Sequence, residues 1–186
     1  MGWTFQHKPR NVREELDRQL TWSNDEGARR VLDSAIVGMR EYYAAVEHTK
    51  PDGTRVVWAA VFMLQFVPKA HDGLTFGYKD MDETCGPYAW RCPEKILALL
   101  TETDNEYANS WRAKCREYHA RRAALPKLAE GMRLRVMNES VPTINGIDVR
   151  EVEVLRAGRK PLFKMEGFGG YFRWPSWRQY QIEEVV

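Results

Sequence analysis

Residues 41–67, EYYAAVEHTKPDGTRVVWAAVFMLQFV, decide how the chain folds. Pro51-Asp52-Gly53 at their centre has turn chemistry, because proline presets φ, aspartate bonds to nearby backbone and glycine accepts a left-handed conformation. The following run, Arg55 to Val67, is rich in β-branched and aromatic residues and reads as a strand. The run before the turn is ambiguous by itself. In Arg30 to His48, Val31, Ala35 and Gly38 suit a helix, whereas Ile36-Val37, Tyr42-Tyr43 and Val46 suit strands. The turn and its second strand decide for β, giving a long antiparallel hairpin with a bulge expected at Gly38. Leu74 to Tyr78 supplies a third strand.

An amphipathic helix precedes this sheet. Asn11 is its expected N-cap, Glu14 and Glu15 favour its positive end, and Leu16 and Leu20 share one face. Ser23 to Gly27 reads as a loop. Downstream, Pro93 starts a helix running to Leu100, and Asp104 caps a second from Asn105 to about Arg122. On the second helix Tyr107, Trp111, Cys115 and Tyr118 form the expected apolar stripe, beside a polar face of Arg112, Arg116 and His119. After Gly131 the period changes to two: Met132, Leu134 and Val136 alternate with arginines. Turn signals at Asn145-Gly146 and Ala157 to Lys160 then separate Val149–Leu155, Leu162–Met165, Gly170–Trp174 and Tyr180–Val186 as short strands. The Trp174-Pro175-Ser176-Trp177 corner resembles the tight turn before the last strand of SH3-like barrels. The expected architecture is α+β: an antiparallel sheet with helices over residues 1–128, then a small SH3-like β-barrel over 130–186.

Composition narrows the function classes. The 186 residues carry 28 Lys+Arg against 26 Asp+Glu, and 12% aromatic residues are ample to form a core. The longest apolar run, Val56 to Phe66, is interrupted at Gln65 and falls short of the roughly 20 residues a membrane helix needs. No membrane association is therefore expected. Met1 to Phe5 begins no secretory leader, and three cysteines do not suit a disulfide framework, so the expected compartment is the cytoplasm. The small net charge hides a segregation. Asp72 to Glu106 holds eight acids and three bases, a net −5, whereas Tyr107 to Arg135 holds eight bases and two acids, a net +6. Such blocks are either two interaction surfaces or two elements that neutralise each other.

Three constellations have residue types suited to chemistry or binding. The first is an acidic loop: His71-Asp72, then Asp80, Asp82 and Glu83. Carboxylates at i and i+2 suit Mg²⁺ and phosphoryl transfer, or else a solvated loop that caps a turn and pairs with arginines. The second is Cys85, Cys92, Cys115 and His119, a legitimate zinc set in residue type. Its Cys-x6-Cys spacing is longer than a zinc knuckle, and Cys115 already has a place in the apolar stripe, so free thiols are the plainer reading. The third joins Arg112, Arg116, Arg121 and Arg122 on the basic helix with Arg173, Trp177 and Arg178 near the C-terminus. Cations for phosphates and rings for bases suit nucleic acid. The same residues serve a protein partner, and part of the aromatic set (Tyr171, Phe172, Trp174, Trp177, Tyr180) must fill the barrel.

Met1-Gly2-Trp3-Thr4-Phe5 with His7-Lys8-Pro9, the loop Phe76-Gly77-Tyr78-Lys79-Asp80-Met81-Asp82-Glu83-Thr84 before Gly86-Pro87, and Gly170-Tyr171-Phe172-Arg173 with Trp177 resemble a family of proteins carried by bacteriophages and integrative mobile elements. That resemblance spans most of the chain and implies no catalytic residues. It implies an accessory role through macromolecular binding, with a host protein as partner and inhibition of a host defence system as its use. Nucleic-acid binding through helix 105–122 and the barrel is the alternative, and metal-dependent phosphoryl transfer at residues 80–83 the second. No cofactor is expected.

Overall fold

The apolar alternation in residues 41–67 becomes the centre of a six-stranded antiparallel sheet. The computed structural model describes residues 2–67 and 73–185, which form two compact units, Met1–His119 and Ala120–Val186. The architecture is α+β. The sheet strands are β1 (Thr4–Gln6), β2 (Trp22–Asn24), β3 (Gly27–Val37), β4 (Glu41–Thr49), β5 (Arg55–Phe66) and β6 (Phe76–Lys79), in spatial order β1-β6-β5-β4-β3-β2. In β4 every residue from Glu41 to Glu47 is buried. The reason is that both faces of this central strand are covered, so alternation sorts its side chains between two cores rather than between core and water. Tyr42, Ala44 and Val46 meet α1 (Val12–Leu20) through Leu16 and Leu20. Tyr43 and Ala45 join Val57, Ala59 and Val61 of β5 against Ile96 and Leu97 of α2 (Glu94–Leu97) and Trp111 and Cys115 of α3 (Glu106–Ala123).

Several expectations are corrected locally. Arg30–His48 is not one strand but most of β3 and most of β4, joined by a turn in which Gly38 and Met39 both adopt positive φ (58° and 61°). The bulge lies instead at the register shift between Val31 and Asp33. Of the expected loop Ser23–Gly27, Ser23 and Asn24 belong to β2 and pair with Ala28 and Gly27 of β3. Asn11 caps α1, its side chain accepting from the Glu14 amide. The cap of α3 is Asn105, which accepts from the Ala108 amide, and not Asp104. The buried face of α3 is Ala108, Trp111, Arg112 and Cys115, while Tyr107 stands exposed. The expected stripe is thus rotated toward Arg112.

In the second unit β7 (Arg133–Val136), β10 (Glu151–Arg156), β11 (Leu162–Lys164) and β12 (Ile182–Val185) form an antiparallel sheet in the order β11-β10-β7-β12. Between β7 and β10, β8 (Thr143–Ile144) and β9 (Ile147–Asp148) form a two-stranded hairpin. Its turn is Asn145-Gly146, both at positive φ, as a two-residue hairpin requires. Phe172 bridges to Phe163 outside the named strands, and a 3-10 turn at Trp177–Gln179 precedes β12. Leu134, Val152, Val154, Phe163, Phe172, Trp174 and Trp177 form its core. Among the described residues no helix is long and apolar enough to cross a membrane.

Candidate functional site

The acidic loop and the basic helix meet in the interior. After β6 the chain passes β5, where the Val61 amide donates to the Met81 carbonyl, and then enters a 3-10 turn at Glu83–Cys85. Asp82 caps this turn by accepting from the Thr84 amide and hydroxyl. Glu83 points inward and is 2% exposed. Its Oε2 accepts from Arg112 Nε at 2.6 Å, and its Oε1 accepts from Arg112 Nη2 at 2.7 Å and from the Ala59 amide at 3.2 Å. Arg112 Nη1 donates to the Thr101 carbonyl at 2.6 Å. Glu83 and Arg112 are therefore not surface-binding residues, and the segregated charge is partly an internal neutralisation. The remaining acid, Asp80, has its carboxyl held above the usual range by partial desolvation and by the neighbouring Asp82. Among the described residues no group of three metal-ligating side chains comes together. His71 and Asp72 lie outside the described residues.

The thiol set is likewise taken apart. Cys85 is exposed, whereas Cys92 and Cys115 are buried in the core between sheet and helices. Burial pushes both buried thiols up, Cys115 to about 12 and Cys92 higher. They are small apolar groups rather than thiolate ligands or nucleophiles. His119 Nε2 lies 2.7 Å from the Cys92 carbonyl oxygen. A carbonyl only accepts, so the proton sits on Nε2.

These hydrogen bonds share a consequence: they fasten residues 86–92. Trp111 Nε1 donates to the Ala89 carbonyl at 2.9 Å, and the Arg91 amide donates to the Tyr43 hydroxyl at 3.2 Å. That hydroxyl in turn donates to Glu41, which also takes the Arg91 guanidinium through Nε at 2.9 Å and Nη2 at 2.6 Å. Cys92 is tied to His119 as described. Pro87, Ala89 and Cys92 are buried, and between them Tyr88 and Trp90 face out. Tyr88 is 92% exposed and its ring centroid lies 6.4 Å from that of Trp90. Lys114 Nζ sits 5.2 Å from the Trp90 centroid. Tyr107, 69% exposed, borders the same segment, since a Cβ at Gly86 would lie 3.8 Å from its Cδ1. The result is an aromatic surface on a backbone that is anchored from behind. None of Tyr88, Trp90 and Tyr107 stands among the residues singled out by charge. For Tyr88 and Trp90 the signal in the sequence is the alternation Pro87-Tyr88-Ala89-Trp90 directly after the 3-10 turn, whereas Tyr107 belongs by spacing to the apolar stripe of the helix.

Of the other sequence candidates, Arg116, Arg121 and Arg122 are exposed on α3 and Arg173 is exposed after the Phe172 bridge. Trp177 is 3% exposed and belongs to the core, so it offers no free face for stacking on a base. Phe172 and Trp174 are buried with it, and Tyr171 is exposed. Arg178 lies over the Trp177 ring, with Cζ 4.5 Å from the centroid. In the Ala120–Val186 unit a cleft of about 300 Å³ is lined by Arg159, Lys160, Arg173 and Arg178 around Trp174 and Trp177.

No curated protein and no solved structure matches the chain. Residues 102–177, from the approach to α3 through the Trp177 corner, match the family model of a domain of unknown function, DUF6927.

Proposed function

We propose that this chain is a non-enzymatic accessory protein that acts by binding another protein, with Tyr88, Trp90 and Tyr107 as the contact surface. One observation carries the reading. Residues 86–92 are fixed at Ala89, Arg91 and Cys92 by interior hydrogen bonds, while the intervening aromatic side chains stand in solvent. Tyrosine and tryptophan are the side chains that dominate binding energy at protein interfaces. A backbone already immobilised loses little further entropy when a partner closes over it. The resemblance to phage and mobile-element proteins supplies the setting: a cytoplasmic protein whose partner is a host protein, with inhibition of a host defence component as the use. We further infer that residues 130–186 form a small SH3-like barrel. Its antiparallel sheet, with a 3-10 turn immediately before the last strand, supports that reading.

The test is capture from nuclease-treated bacterial lysate by tagged wild-type chain and by the Tyr88→Ala/Trp90→Ala variant, with identification by mass spectrometry. A protein retained by the wild type and lost by the variant, at unchanged melting temperature, is the expected result. Identical capture by both, or capture only without nuclease, overturns the reading.

A further inference from the structure

The cleft in the Ala120–Val186 unit combines three features that point to one kind of ligand. Its rim carries four cations, Arg159, Lys160, Arg173 and Arg178, and no carboxylate lines it. Among the described residues none of the four forms an ion pair, whereas Arg133, Arg135 and Arg150 of the same unit each have an acidic partner. The two tryptophans of its wall each carry a buried indole N–H with no acceptor. Unsatisfied donors and unneutralised cations around one cleft call for a ligand rich in acceptor oxygens and negative charge. Arg178 is already stacked on Trp177, so its guanidinium is oriented before any ligand arrives.

We propose that this cleft binds the phosphodiester backbone of nucleic acid, independently of base sequence. Recognition through the backbone rather than the bases follows from the burial of Trp174 and Trp177, the two rings that line the cleft, and from a rim whose charged side chains are all cations suited to phosphate. A polynucleotide is favoured over an acidic peptide by the adjoining sheet edge. A peptide docks most effectively by adding a strand, but the edge of β11 is already met at Phe163, where Phe163 and Phe172 exchange amide–carbonyl bonds of 2.9 and 2.8 Å. What remains is recognition through charge. The proposal is independent of the aromatic surface on the other unit.

The experiment is fluorescence anisotropy of a fluorescein-labelled 20-nucleotide oligothymidine and a 20-base-pair duplex with the full chain, from 50 to 300 mM KCl. Neutralising three or four phosphates gives an expected slope of log K against log salt of about −2 to −4. Arg173→Ala/Arg178→Ala should weaken binding at least tenfold and reduce the slope by about 2 at unchanged circular dichroism. Arg133→Ala, whose side chain is paired with Glu151, should bind as wild type, and so should Tyr88→Ala/Trp90→Ala. Lack of binding at 50 mM KCl, or full binding by the Arg173/Arg178 variant, overturns the proposal. Equal affinity for a labelled oligoglutamate peptide overturns the nucleic-acid assignment.

Discussion

The guanidinium of Arg112 and the carboxylate of Glu83 face each other through two near-parallel hydrogen bonds of 2.6 and 2.7 Å, with side-chain exposures of 7% and 2%. Removing two charges from water is costly, and the pair is sustained because its other polar atoms are also served, by Ala59 and Thr101. The contact ties the turn after β6 to the middle of α3. It thereby sets the rotation of that helix and places Trp111 under Ala89.

Breaking this pair from one side should be worse than removing it altogether. Arg112→Met or Glu83→Leu alone is expected to cost about 3–5 kcal/mol, because each leaves a buried charge without its partner. The Glu83→Leu/Arg112→Met double variant should lose clearly less than the sum of its single changes. Urea unfolding of the four proteins measures the coupling directly.

Thiol chemistry should divide the cysteines by position. A thiol-reactive disulfide reagent at pH 8 is expected to modify one thiol per native chain, Cys85, and three in denaturant. Cys85→Ser should abolish the fast native reaction. Fast modification of two or three thiols in the native protein would contradict the burial of Cys92 and Cys115.

The same burial makes stability fall in alkali. In the unfolded chain a thiol ionises near pH 8.5, whereas Cys115 in the fold is pushed up to about 12 and Cys92 higher. The folded state therefore binds more protons above pH 8.5, so stability is full below that value and is lost as pH rises toward 12. Each thiol contributes about 1.4 kcal/mol per pH unit in that window. Urea unfolding at pH 8, 9 and 10 should show the decline, and Cys115→Ala should make it shallower.

Gly27 should tolerate no side chain. Its φ is +127°, and a Cβ there would lie 2.4 Å from the backbone oxygen of Thr49. Gly27→Ala is expected to cost about 2–4 kcal/mol, combining backbone strain with displacement of β4 from β3. Gly53→Ala has open space around its Cβ and should cost less. Thermal melts of the two variants give the comparison.

Trp111→Phe removes the donor to the Ala89 carbonyl and part of the helix–sheet filling. A loss of about 2–4 kcal/mol is expected. Hydrogen exchange of the amides in residues 86–92 should accelerate more than in β4 and β5. Uniform acceleration throughout would mean that Trp111 supports the core but does not fasten the loop.

Part of this fold is legible in local residue patterns. The Asn11 cap, the Pro51-Asp52-Gly53 turn, the Asn145-Gly146 hairpin and the strands around Leu134 and Val152 depend on backbone preferences and on a period of two, both of which act between near neighbours. The turn at Gly38-Met39 is harder to read, because a left-handed methionine has no compositional signal and is imposed by the pairing of Ile36 with Tyr42 and Val37 with Glu41. The candidate site is the part least legible in the sequence. Arg112 belongs by residue type to a solvated face, and only its distant partner Glu83 turns it inward.

The order of residues by itself determined an α+β chain, a central antiparallel hairpin, and an acidic block followed by a basic one. Tertiary structure alone decided which charges would remain at the surface. Glu83 and Arg112 are 29 positions apart and neutralise each other inside, while Tyr88 and Trp90 stay in water because the backbone at Ala89, Arg91 and Cys92 is bonded to the interior. The physical reason is range. Propensity and periodicity act over a few residues, whereas the burial of an ion pair depends on groups that only folding brings within 3 Å.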